Sequence, residues 1–281
     1  MAGIGIAFLL ERLDNTLKTS DDVEDKLQLP VLGLVPALKT KGKGGSSPQR
    51  IFLDESQSQF AETIRTLRTS VMLSGLDSPH KLVLVTSSII GEGKTTVAMN
   101  LAFALGHLEK VLLIDADMRR PSMGEHCGFG RDAPGLSNLI AGTATPSECI
   151  HKLPDSHVHV LPAGIVPPNP LELLSSHRLA AALEKLGQAY DRIVVDSAPT
   201  QAVSDPLVLS RYSNAVIYVV QADSTPYQVA QVGLKRLRQV DAPVIGVVLN
   251  RVEVQKSGKY GKYGYYGDYY AHYGYRYRKA S

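Results

Sequence analysis

The residues best equipped for chemistry lie in SSIIGEGKTT at positions 87–96, where Gly91 and Gly93 are followed at once by Lys94, Thr95 and Thr96. Glycines at that spacing let the backbone turn so that successive N–H groups point inward at phosphate oxygens. A lysine just beyond reaches the β and γ phosphates, a hydroxyl suits Mg²⁺, and the N-terminus of a following helix adds about half a positive charge. Gly91, Glu92, Gly93, Lys94, Thr95 and Thr96 are therefore the candidate nucleotide-binding residues. The full pattern has glycine where this chain has Ser88, so the match is one position short. Its context is right, with LVLV at 82–85 ahead of the loop and Val97, Leu101 and Leu105 at helical spacing behind it. The alternative is a tight strand-to-helix turn with an incidental lysine.

Carboxylates close two other apolar runs. Asp115 and Asp117 leave VLLIDADMRRP at 111–121, and Asp196 ends RIVVD at 192–196. Carboxylates at strand ends beside a phosphate loop can hold Mg²⁺ and its waters, and one can take a proton from an attacking hydroxyl. Thr95, Asp115 and Asp196 are the candidate metal ligands. An acidic residue in such a place can equally be a turn cap. Asn250, after VVL at 247–249, offers an amide to a base edge, or one that only satisfies loop backbone.

The elements that must position these residues follow from the apolar runs at 82–85, 111–114, 157–161, 193–195, 215–220 and 244–249, separated by helix-like segments. Short continuous apolar strands between helices predict an α/β fold, a mostly parallel sheet with helices on both faces, with ligands beyond the carboxyl ends of the strands. Phe60, Ile64, Leu67 and Val71 predict an amphipathic helix over 56–74, and LPVLGLVPAL at 29–38 a short extended element. KTKGKGGSSPQ at 39–49 is a linker by composition. The expected division is 1–50 as an N-terminal segment with linker, 51–254 as the catalytic domain, and 255–281 as a tail. Two cysteines, Cys127 and Cys149, are too few for a disulfide framework. The apolar run at 4–10 is short of the roughly 20 residues that span a bilayer, so it is either a buried N-terminal segment or the end of a longer membrane helix.

The tail holds nine of the thirteen tyrosines: Tyr260, Tyr263, Tyr265, Tyr266, Tyr269, Tyr270, Tyr273, Tyr275 and Tyr277. Six basic residues against Asp268 alone give 255–281 a net charge of +5, so the rest of the chain, within a total of +3, is slightly acidic.

In this order the pieces resemble the P-loop ATPases that carry a second Walker motif of form hhhDxDxR, here LLIDADMR at 112–119. Partition and division-site ATPases of that group have a lysine five positions before the main one, where this chain has Ile89. The bacterial tyrosine kinases, or BY-kinases, instead combine such a loop with a helix motif ExxRxxRxxI and a C-terminal tyrosine cluster. The chain carries Glu62, Arg65 and Arg68 in ETIRTLRTSV, ending in Val71, and it carries the tail. The stretch at 7–36 looks like the segment after the second transmembrane helix of single-chain members.

That resemblance implies a P-loop NTPase-type fold and an ATP- and Mg²⁺-dependent protein tyrosine kinase on the cytoplasmic face of the bacterial inner membrane. It implies a ring of copies joined through Glu62, Arg65 and Arg68, with the tail tyrosines phosphorylated in a neighbour's site. Lys94, Asp115, Asp117 and Asp196 are then catalytic, with Asp117 the first choice to receive the tyrosine proton. The implied partners are a tyrosine phosphatase and the machinery of exopolysaccharide or capsule export, without nucleic acid. Two other readings compete: a partition-type ATPase without kinase activity, and a Tyr/Gly-rich binding module.

Overall fold

The structure is a computed structural model that describes residues 15–38, 47–130, 133–154 and 156–253. The expected tail, residues 39–46 of the expected linker at 39–49, and the apolar run at 4–10 lie outside the described residues. Eight strands form one sheet: β1 (Val31–Pro36), β2 (Leu82–Ser87), β3 (Val111–Asp115), β4 (His151–Lys152), β5 (Val158–Leu161), β6 (Arg192–Asp196), β7 (Ala215–Gln221) and β8 (Val244–Val252). Their order is β1-β8-β7-β2-β6-β3-β5-β4, parallel throughout except for β4 on β5.

The longer helices are α1 (Ser20–Leu27), α2 (Gln59–Leu73), α3 (Lys94–Gly106), α4 (His177–Ala189) and α5 (Tyr227–Arg238). Strand alternation divides the core between the two faces. Leu82 and Leu84 of β2 join α4 and α5 on one side, while Val83 and Val85 join α2 and α3 on the other. Both faces are covered, which is why every residue of β2, β3 and β6 is buried and why their sequences read as unbroken apolar runs. Phe60, Ile64, Leu67 and Val71 of α2 are at most 3% exposed, each contributing roughly 1.5–3 kcal/mol on burial. Ser58 caps this helix by accepting the Ala61 N–H.

The six predicted runs all form strands. One expectation needs correcting: the boundary at residue 50 falls inside the folded unit. Residues 31–36 pair in parallel with β8 as an edge strand, and α1 buries Val23 and Leu27 against α5. Ahead of α1, Thr16 bridges Pro226, and Leu17 is fully buried. Among the described residues no helix is long and apolar enough to cross a membrane.

Strand order reverses around β2, which lies between β6 and β7. This is the switch point where an open parallel sheet leaves a crevice at its carboxyl edge.

Candidate active site

The loop after β2 turns at Gly91 and Gly93, with φ of +94° and +90°, values that an L side chain rarely tolerates. At Gly93 the need is also steric, since a Cβ there would stand 2.1 Å from Asn250 Nδ2. Gly93 is the N-cap of α3 and no side chain caps the helix, so the first-turn N–H groups are left facing the crevice.

Sheet register brings the acidic residues to that loop. Asp115 is the cross-strand partner of Asp196, and Asp196 pairs with Val85 of β2. The Lys94 ammonium lies 3.0 Å from Asp117 Oδ2 and 3.7 Å from Asp196 Oδ1. The Thr95 hydroxyl donates to Asp196 Oδ2 at 2.6 Å. Burial opposes the charge on Lys94, yet Asp196, Asp117 and Asp115 together outweigh it and raise its pKa. Burial, with the Asp196 carboxylate next, pushes Asp115 up to about 7. Asp196 is raised as well, chiefly by burial and against the pull of Lys94.

The three carboxylates are not equivalent. Asp115 is turned into its own loop, accepting the Asp117 N–H on Oδ1 and the Met123 and Ser122 N–H groups on Oδ2. Asp117 accepts the Arg120 N–H on Oδ1 and gives Oδ2 to Lys94. Asp196 keeps Oδ1 buried without a hydrogen-bond partner. An unsatisfied buried carboxylate oxygen beside a threonine hydroxyl is an oxygen donor set that suits a hard divalent cation. The fit thus favours Thr95 and Asp196 over Asp115.

Two candidates differ from their expected roles. Asn250 spends its amide on the protein: Nδ2 donates to the Glu92 carbonyl at 2.7 Å and Oδ1 accepts the Arg251 N–H. It braces the loop rather than offering a free amide to a base. The Glu92 side chain is also turned inward, accepting from Ile89 N–H at 2.7 Å and from the Thr225 hydroxyl at 2.5 Å.

On α2, Arg65 pairs with Glu62 at 2.7 Å and donates to the Ser56 carbonyl. Arg68 donates to the Ala104 carbonyl of α3, and its Nε is buried without a partner. Ala104 lies near the end of α3 opposite Lys94, so this contact is away from the phosphate loop. His107, at the end of α3, is held below its usual pKa by burial and by the two arginines.

Some residues at the site carried no role in the sequence. Arg119 grips Asp205 with two hydrogen bonds, Nε to Oδ2 at 2.8 Å and Nη2 to Oδ1 at 3.1 Å, and Asp205 is fully buried. This fork ties the loop after β3 to the helix Asp205–Ser210. Arg119 was legible as the last residue of LLIDADMR, and Asp205 as the acidic residue before Pro206 at a helix start. Thr225 left no comparable signal.

Residues 81–244 match the family model described as "AAA domain". Among curated proteins, the tyrosine-protein kinase YwqD of Bacillus subtilis (strain 168) is 33% identical over 220 residues, 77% of this chain and 92% of the relative. The tyrosine-protein kinase ptk of Acinetobacter johnsonii is 29% identical over 91% of this chain, which spans only 36% of that longer relative. Among solved structures, the kinase domain of the Escherichia coli tyrosine kinase ETK superposes with a TM-score of 0.75 at 27% identity, covering 82% of this chain and 92% of that one.

Proposed function

The chain belongs to the bacterial tyrosine-protein kinases, and from that premise we propose that it phosphorylates its own C-terminal tyrosines in trans at the Lys94 site. The observation that carries this reading is the convergence of Lys94, Asp117 and Asp196 beneath a loop whose backbone is forced open at Gly91 and Gly93.

The N–H groups of Gly91, Gly93 and the first turn of α3, with Glu92 and Thr96 in the same loop, cradle the ATP phosphates. Lys94 swings from its carboxylates to the transferring phosphate and neutralises charge there. Asp117 takes the phenolic proton, the phenolate oxygen attacks the γ-phosphorus, and the bond to the β–γ bridging oxygen breaks to release ADP. A phenol of pKa about 10 is a poor nucleophile at neutral pH, so a positioned carboxylate helps. Thr95 and Asp196 would hold Mg²⁺, which would supply charge neutralisation at the phosphate oxygens. Asp115 shapes the loop that carries Asp117, accepting the Asp117, Ser122 and Met123 N–H groups.

Tethering accounts for acceptors with no common sequence context. A tail attached to an associated copy presents its tyrosines at about millimolar effective concentration, so weak contacts suffice. Each phosphate adds about −1.5 to −2, so nine would add roughly −14 to −18 to a segment now at +5 and drive copies apart. Glu62, Arg65 and Arg68 join neighbouring copies in the ring. The setting is the cytoplasmic face of the inner membrane, with the N-terminal stretch following a transmembrane helix. There the cycle, reversed by a tyrosine phosphatase, regulates export of exopolysaccharide or capsule.

Mixing tests the trans step. A Lys94→Met chain with its tail is incubated with an active chain ending at residue 254 and Mg-ATP. Phosphotyrosine on the Lys94→Met chain is the expected result, and labelling only when Lys94 and the tail share one chain contradicts it.

A further inference from the structure

Glu92 is a carboxylate 2% exposed inside the candidate phosphate loop, its side chain turned to Ile89 and Thr225. Its pKa is raised by burial and drawn back by the donors around it, the Thr225 hydroxyl first. Two donors converge on it from separate segments, Ile89 N–H on Oε2 and the Thr225 hydroxyl on Oε1. Thr225, 1% exposed, also accepts the Gln221 N–H at 3.0 Å, while its carbonyl accepts the Leu17 N–H. With Asn250 holding the Glu92 carbonyl, the loop before Lys94 is pinned at its start, middle and underside. Lys94, Asp117, Thr95 and Asp196 are held separately by their own bonds.

We propose that Thr225 is a positioning residue for the nucleotide loop, acting through Glu92, and that it sets the KM for ATP rather than kcat. The proposal rests on the assignment of 91–96 to nucleotide binding. A carboxylate is the one group here that accepts from both donors at once. Without the Thr225 hydroxyl, Glu92 loses one of them, and the loop must be ordered each time a nucleotide binds. That cost falls on bound ATP and on the transition state alike, the signature of lost uniform binding.

The test uses the full chain with Thr225→Val, which keeps the shape, and Thr225→Ser, which returns the hydroxyl. The expected result for Val is an increase of about tenfold in KM for ATP and in Kd for Mg-ADP with kcat within about twofold, and Ser restores both. A lower kcat at unchanged KM, in proportion to the folded fraction by circular dichroism, would reduce Thr225 to a structural residue and overturn the proposal. Adding Glu92→Gln to Thr225→Val should worsen KM by far less than Glu92→Gln does alone, and full additivity would also overturn it. If the wild-type chain itself fails to bind Mg-ADP, the nucleotide assignment falls and the proposal with it. Normal wild-type binding with an unchanged Val variant removes the proposal alone.

Discussion

Lys94 Nζ and Asp117 Oδ2 stand 3.0 Å apart, an ion pair that joins the start of α3 to the loop after β3 across the intervening β6. Both side chains are largely buried, so the pair is shielded from solvent screening. Lys94→Met removes the cation shared by the Asp117 and Asp196 carboxylates. Phosphotyrosine formation should fall by at least about a hundredfold, followed by anti-phosphotyrosine detection, while far-UV circular dichroism stays unchanged. Retained activity would take Lys94 out of the mechanism.

Gly93→Ala tests the loop geometry. A φ of +90° costs an L residue about 1–2 kcal/mol, and the new Cβ must displace the Asn250 amide from its place 2.1 Å away. Mg-ATP affinity should drop by about tenfold or more in a fluorescent-nucleotide titration, with a smaller loss of thermal stability. Unchanged affinity would show that the loop does not need this conformation.

Asp115 gives a pH dependence with a definite sign. Burial pushes its pKa up from the ordinary carboxylate range to about 7, so the folded chain binds this proton more tightly than the unfolded chain. Stability from that proton is complete below pH 4 and is lost as pH rises through 7. In EDTA, Tm should decline between pH 5 and 8 more steeply for the wild type than for Asp115→Asn. Parallel slopes for the two proteins would contradict the shift.

Arg119→Ala leaves Asp205 fully buried without its two-point partner. The arginine side chain is 38% exposed, which moderates the loss to about 1–3 kcal/mol in urea denaturation. kcat should fall too, since the loop bearing Asp117 loses its tie to the helix Asp205–Ser210. Full stability and activity would show that the fork is idle.

What was legible in the sequence follows from what leaves a local trace. Strands buried on both faces read directly as apolar runs, and Lys94, Asp117 and Asp196 lie where a strand end meets a loop, so their meeting followed from the parallel sheet alone. The short antiparallel β4, two residues long, had no apolar run to mark it. Thr225 and Glu92 are 133 residues apart and meet only because β7 lies beside β2, information that no single segment contains. Asn250 donates to the Glu92 carbonyl, and an amide looks the same in sequence whether it faces a base or a backbone carbonyl. The same ambiguity holds for Arg68, whose guanidinium donates to Ala104 within the chain.

Association through α2 is tested by Arg65→Ala combined with Arg68→Ala. In sedimentation velocity with Mg-ADP the double variant should run as a folded monomer where the wild type forms a larger species. A wild-type oligomer with normal autophosphorylation would confine the two arginines to their contacts with Glu62, Ser56 and Ala104.

Phosphorylation of the tail by the Lys94 site has a direct readout. The purified chain with its tail, incubated with Mg-ATP and then mapped by mass spectrometry, should carry phosphate on several of the tyrosines from Tyr260 to Tyr277 and none when Lys94 is replaced by Met. ATP hydrolysis with an unmodified tail would contradict the account.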